Sequence, residues 1–216
     1  MKYSIVIPTY NHCDDLLKPC IDSIIKYTDL DEVEVIISAN GCTDSTGAYI
    51  NYLLKVIPNL RWCWSSEPLG FAKAVNAGLS KATANKIVLL NNDTILLDQP
   101  KNEWLERLNG HDISGVRVLY SSETKQKFAV FFCAMIDRRV FSHVGLLNEE
   151  YGTGGGEDIE FCAKAQEMGF ELHDEGWRGD FPIYHVGEAT VHDTSLVPDY
   201  HTTFFDNMAK LAAKYE

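Results

Sequence analysis

The run Ile87-Val88-Leu89-Leu90 empties into Asn91-Asn92-Asp93-Thr94. Branched apolar residues of that kind read as a buried parallel strand. The polar cluster then falls at the strand's carboxyl end, where open α/β sheets bind their ligands. A single carboxylate flanked by amides and a hydroxyl offers hard oxygen donors to a divalent cation, and such a cation can hold a diphosphate. The same residue types also suit a plain strand cap and turn. A second cluster, Gly156-Glu157-Asp158-Ile159, sets two acids at a helix start behind the glycine-dense Gly152-Thr153-Gly154-Gly155. Acids suit a helix N-terminus electrostatically, and one of them can also accept a proton from an attacking hydroxyl. The glycines let the backbone approach a ligand closely, or let the loop close over it.

The elements that must position these clusters alternate through the first half of the chain. Ser4–Ile7 reads as a strand ended by Pro8-Thr9-Tyr10-Asn11, and Tyr10 can stack there on a flat base or sit half-buried in a loop. Leu16, Leu17, Cys20, Ile21, Ile24 and Ile25 recur at helical spacing, and Pro19 places the effective helix start near Lys18. Val33–Ser38 is a second strand, 45–56 a helix, 60–65 a short strand and 69–82 a helix with small residues. Repeated β-α units imply a parallel sheet covered by helices on both faces. The second half is less regular. Strands are expected at 113–119, 128–136, 170–173 and 182–186, with helices at 138–144, 157–168 and 200–215.

With 216 residues, 45% hydrophobic and 23% charged, the composition is that of a soluble globular chain. A net charge of -12 argues against a nucleic-acid surface, which needs a basic stripe, but not against a small phosphorylated ligand held through a metal. No apolar stretch approaches the roughly 20 residues that span a bilayer, and no signal-peptide layout precedes the first strand. Six cysteines lie scattered without a C-x-x-C pair, which suits buried thiols in a reducing compartment rather than zinc or disulfides. The expectation is a cytoplasmic, soluble protein of one domain with two lobes.

Five segments in order resemble the inverting family 2 glycosyltransferases of GT-A fold. SIVIPTYN resembles that family's nucleotide-contacting first strand, and VEVIISANGCTDST its second strand and loop. EPLGFAKAVNAGLSKATANKIVLLNNDT resembles its helix leading to the metal-binding D-x-D position. GLLNEEYGTGGGEDIEFCAKAQEMGF resembles its glycine loop and E-D helix, and YHVGEAT its late histidine segment. The likeness covers nearly the whole chain. It implies a single α/β, Rossmann-like GT-A domain with a mostly parallel central sheet, helices on both faces and a smaller acceptor-side lobe. Residues 1 to about 98 would form the nucleotide-binding half and about 99 to 216 the acceptor and catalytic half.

The resemblance also implies roles. Asp93 is the principal metal ligand, with Asn91 standing where the family has its first acid, and Asn92 beside it on the donor. His185 matches the second metal ligand, against the alternatives of a core histidine or of His192 in that role; imidazole suits Mn2+ better than Mg2+. Asp158 is the catalytic base and Glu157 helps orient the acceptor. Pro8, Thr9, Tyr10 and Asn11 face the nucleotide. Ala39 stands where relatives carry an acid that recognises uracil, leaving Asn40 or backbone groups to read the base of a UDP-type donor. Lys73 resembles a basic residue near the nucleotide and is equally suited to a solvated helix face. Asp44 suits a helix cap. Gly155, Gly156 and Trp177, with Arg178 beside it, are acceptor-side candidates, though Trp177 also suits a plain core position.

The expected activity is metal-dependent, inverting transfer of a sugar from a nucleotide-diphosphate donor to a carbohydrate-type hydroxyl acceptor. A non-catalytic or hydrolysis-only nucleotide-sugar binder is the main rival, encouraged by Asn91 and Ala39 and opposed by Glu157 and Asp158. A sugar-phosphate nucleotidyltransferase would want a glycine-rich, basic signature that PTYNHCDD lacks. A pyridine-dinucleotide enzyme would want G-x-G-x-x-G after the first strand.

Overall fold

The computed structural model describes residues 1–176, 181–187 and 196–215. Strand β1 (Tyr3–Thr9) leads through a short wide helical turn (Cys13–Leu17) into α1 (Lys18–Tyr27). Pro19 falls in the first turn of α1, where a missing N–H costs no intrahelical bond. Then follow β2 (Val33–Asn40), α2 (Thr46–Leu53), β3 (Leu60–Ser65), α3 (Phe71–Leu79), β4 (Lys86–Leu90), β5 (Thr94–Leu96) and α4 (Glu103–Leu108). The second half holds β6 (Ile113–Gly115), β7 (Val118–Tyr120), β8 (Lys127–Ala129), β9 (Cys133–Asp137), α5 (Arg138–Val144), α6 (Glu157–Glu167), β10 (Leu172–Asp174), β11 (Ile183–His185) and α7 (Tyr200–Tyr215).

Seven strands form one sheet in the order β10-β6-β9-β4-β1-β2-β3. All of its pairs are parallel except those that β9 makes with β4 and β6. Successive residues of one strand feed opposite faces, as the pleat requires. Ile5, Ile7, Val35, Ile37, Val88 and Leu90 pack with Leu17, Ile21, Ile24, Leu53 and Trp104. Val6, Ile36, Ile87 and Leu89 pack with Val75, Ala72, Phe161 and Cys162 on the other face. Burial on both faces is why these strands are apolar throughout.

One strand residue breaks that pattern. Glu34 is fully buried within β2. Its carboxylate accepts hydrogen bonds from Ser4 Oγ at 2.6 Å and from the Thr83 N–H at 2.5 Å, and it pairs with Arg61 Nε at 2.9 Å. Burial alone would raise its pKa, but these donors together hold it below the ordinary glutamate range.

The second half corrects two expectations. The strand expected over 113–119 is two strands, and so is the one expected over 128–136. β6 and β9 stay in the main sheet, whereas β7 and β8 turn away and, among the described residues, pair only with each other. Between them the chain is held by the Val116 N–H to the Cys133 carbonyl at 3.2 Å and the Val130 N–H to the Arg117 carbonyl at 2.9 Å. Both breaks occur at the same level, and they open one wall of a cavity. Short β5 and α4 have no counterpart in the sequence expectations, because three and six residues show too little periodicity to be read.

Candidate active site

The carboxyl ends of β1 and β4 lie side by side in the sheet, and the polar cluster after β4 is fastened at several points. Asn92 donates through Nδ2 to Thr9 Oγ1 at 2.9 Å, tying the two strand ends together. The Asn91 N–H donates to the Phe132 carbonyl at 2.8 Å, and its carbonyl accepts from Thr94 Oγ1 at 2.7 Å. Immediately beyond, β5 pairs antiparallel with β11 and sets Thr94 opposite His185. That pairing brings His185 Nε2 to 3.1 Å from Asp93 Oδ1, with both side chains nearly buried. The imidazole lies flat on Phe132, ring centroids 4.2 Å apart and planes within 7°.

Asn91 Oδ1 is buried without a hydrogen-bond partner among the described residues. Native structures seldom leave such an oxygen orphaned, and a ligand or ion is a common reason. Two oxygens and an imidazole nitrogen form a donor set that suits Mn2+, so the residues fit a divalent cation. A second group of donors, His111, His173 and Glu175, has atoms within 4.8 Å of one another, outside the lining of either cavity described below. Its two rings stack at 3.8 Å and 7°, and His173 Nε2 lies 3.2 Å from Glu175 Oε1.

Two cavities meet at Asn91, Phe71 and Thr153. The first, of about 410 Å³, is lined by Pro8, Thr9, Tyr10, Asn40, Asn92 and Asp93, and also by Thr153 and 196–199 from the second half of the chain. Asn40 faces it with its amide already engaged: Oδ1 accepts the Leu69 N–H at 2.6 Å, and Nδ2 reaches the Gly70 carbonyl at 3.5 Å. Asn11, at φ +54°, lines a separate shallow recess and accepts the Thr43 N–H at 2.8 Å. Asp44 receives the N–H groups of Cys13 at 2.9 Å and Thr46 at 3.1 Å, so it does help start α2. Lys73 is exposed on α3 and lines neither cavity, which matches the solvated-helix alternative.

The second cavity, of about 540 Å³, holds Glu157, Asp158, His185, Gly155 and Gly156. Gly156 opens α6 at φ +109°, and a Cβ there would lie 2.7 Å from the Tyr151 ring. Only glycine tolerates that combination. Asp158 is half-buried, accepts the Ile159 N–H at 2.8 Å and also bonds the Phe131 N–H. Burial pushes its carboxyl above the ordinary range against those donors. Glu157 is 6% exposed, with Oε2 unpartnered among the described residues; burial, then the neighbouring Asp158 charge, pushes it up further still.

The acidic loop is braced from behind. Glu160 is buried and accepts from Lys164 at 2.6 Å, from Asn148 at 3.0 Å and from Lys214 of α7. Burial opposes ionisation, but these bonds outweigh it and hold the carboxyl down to about 2. Asn207 of α7 donates to the carbonyls of Tyr151 at 2.8 Å and Gly154 at 3.1 Å. On the other side the Phe71 N–H reaches the Gly152 carbonyl at 3.1 Å, and a Cβ on Gly70 would fall 2.0 Å from that same oxygen. Thus α3, α6 and α7 clamp one loop.

Trp177, Arg178 and His192 lie outside the described residues. Sequence reasoning missed Phe132, the platform for His185, and Arg117, in the wall of the second cavity. Neither carries a local motif, because both depend on the strand breaks.

The switch point of the sheet at the ends of β1 and β4 thus adjoins a cavity holding two carboxyls, the layout of a ligand-binding site in an α/β fold. The model of Glycosyl transferase family 2 matches residues 4–130, and the chain belongs to that family of glycosyltransferases. Chondroitin synthase of Pasteurella multocida is 39% identical over 93 residues, covering 43% of this chain and 9% of that protein. The chain thus spans under a tenth of the length of that relative. The mannosyltransferase PcManGT from Pyrobaculum calidifontis, solved with GDP-Man and Mn2+, superposes with a TM-score of 0.70 at 18% identity, covering 97% of this chain and 64% of that one. GalNAc-T7, solved with UDP, GalNAc and Mn2+, gives 0.66 at 15% identity, covering 79% of this chain and 41% of that one. These likenesses confirm the GT-A fold. No helix among the described residues is long and apolar enough to cross a membrane.

Proposed function

We propose that this glycosyltransferase takes its sugar from a nucleotide-diphosphate donor and transfers it with inversion to a hydroxyl of a carbohydrate-type acceptor. The observation that carries this reading is the continuity of the two cavities at Asn91. Asp93 then lines the donor cavity and Asp158 the other, with His185 of the second cavity reaching across to pair with Asp93. The donor nucleotide occupies the cavity at Tyr10, Thr9 and Asn92, and a flat base stacks on Tyr10. UDP is our reading of the nucleotide; Ala39 supplies no acid to a uracil, so backbone groups read the base.

Asp93, His185 and Asn91 are the residues that would hold Mn2+ or Mg2+. Such a cation supplies positive charge to a diphosphate leaving group. Asp158 takes the proton from the acceptor hydroxyl; the acceptor oxygen bonds to the anomeric carbon as the bond from that carbon to the diphosphate oxygen breaks. An elevated pKa makes Asp158 a stronger base once ionised. Glu157 keeps its proton longer and orients the acceptor by donating it in a hydrogen bond. Phe132 keeps the imidazole of His185 turned toward Asp93. Donor cavity residues come from both halves of the chain, so we read the molecule as one GT-A domain rather than two separable units. The six free thiols, five of them buried, support a reducing, cytoplasmic setting.

The test is a hydrolysis panel of UDP- and GDP-sugars with Mn2+ and with chelator. Release of nucleotide diphosphate from at least one donor, restored by Mn2+ after chelation, is expected. Turnover equal with and without chelator would remove the metal from the reading.

A further inference from the structure

We infer that the acceptor carries an anionic group, a uronate carboxylate or a phosphate ester, and that Arg117 recognises it; this rests on the proposed transfer reaction of the same site. The chain has 31 acids for 19 bases, and the described arginines otherwise have acceptors. Arg61 pairs with Glu34, Arg107 with Glu175 and Arg139 with Asp112, while Arg138 donates to the carbonyls of Ala82 and Ala84. Arg117 alone of the described arginines has no side-chain hydrogen bond or ion pair to a described residue. In so acidic a chain, that is a matter of placement rather than of scarce partners.

The placement is specific. Arg117 is half-buried between β6 and β7, where the chain turns away from the main sheet, its backbone carbonyl fixed by the Val130 N–H at 2.9 Å. It lines the cavity of Asp158 and Glu157 but not the cavity of Tyr10 and Asp93. Its neighbours in that wall, Leu119, Phe128, Val130 and Phe131, have no side-chain polar group to satisfy it.

A guanidinium presents five donors in a rigid fork that matches a carboxylate or a phosphate edge to edge. Against this apolar stretch of the wall such a pair is screened less than at the open surface, so an anion gains more there. An anionic acceptor also faces a specific obstacle here. It must approach two carboxyls in a molecule of net charge -12, and a local cation offsets that repulsion. A neutral sugar faces no such obstacle and has less use for Arg117.

The experiment measures binding of four probes by calorimetry, with UDP and Mn2+ present to fill the donor side. The probes are p-nitrophenyl glucuronide, p-nitrophenyl glucoside, glycerol 3-phosphate and glycerol. Wild type is expected to prefer one anionic probe over its neutral counterpart by about tenfold to a hundredfold. The preferred pair identifies the source, uronate or phosphate ester. Arg117→Gln should abolish the preference, and Arg117→Lys should keep part of it, with melting curves confirming that both variants fold. Absence of any anion preference in wild type, or a preference that survives Arg117→Gln, would overturn the inference. Donor hydrolysis by wild type is scored separately: hydrolysis without anion preference sinks this inference alone, and no hydrolysis of any donor sinks the transfer reaction instead.

Discussion

At the scale of single residues, Asn91 stands where the resemblance to family 2 glycosyltransferases places an acid. A neutral amide in place of an acid contributes a weaker ligand, and cation affinity in oxygen sites follows ligand charge. Asn91→Asp should therefore tighten Mn2+ binding by about tenfold, read by calorimetry; unchanged or weaker affinity would place Asn91 outside the ligand set. Asp158 makes a second prediction. Its carboxyl is raised mainly by burial, and a base works only when ionised. Transfer should then rise with pH through a midpoint above the ordinary carboxylate range. A profile already flat at pH 5 would contradict the assignment. Both residues stand out in the sequence because their short polar clusters border readable elements, Asn91 just after β4 and Asp158 in the first turn of α6. Arg117 and Phe132 do not, because their neighbours come from the far ends of other strands.

At the scale of elements, the site depends on braces that have no motif. Glu34 holds β1, β2 and the 83–84 turn together, and Glu160 holds α6 to α7. Both carboxyls are held below their ordinary range in the fold, so their stabilisation is present above that range and is lost as pH falls through it. For Glu160 the window runs from the ordinary 4.5 down to about 2. Glu34→Gln should cost about 2 kcal/mol of stability at neutral pH and reduce the acid sensitivity. A denaturant midpoint unchanged by the substitution would refute the brace. Gly70 is the matching device on α3, held at φ +87° with Gly152 against its α-carbon. Gly70→Ala should destabilise by about 1–3 kcal/mol and slow transfer, measured by melting and turnover together. The β-α alternation of the first half was readable because its strands are buried on both faces. The strands of the second half were misread as long because periodicity continues through the points where β7 and β8 leave the sheet. Pairing of β5 with β11, which brings Asp93 to His185, is a long-range event that no window along the chain reports.

At the scale of the whole molecule, the sheet supplies a fixed floor while α3, α6 and α7 clamp one loop over the junction of two cavities. The first cavity takes residues from both halves of the chain, Tyr10 and Asp93 together with Thr153 and 196–199. In the proposed reaction the leaving group and the attacking hydroxyl come from opposite sides of this junction, the layout that a single displacement requires. The measurement that tests this most directly compares wild type with Asp158→Asn for donor affinity and for transfer. The expected result is donor affinity within about twofold of wild type, with transfer slowed by about 10²–10⁴-fold. Transfer at wild-type rates in Asp158→Asn would contradict the proposed base.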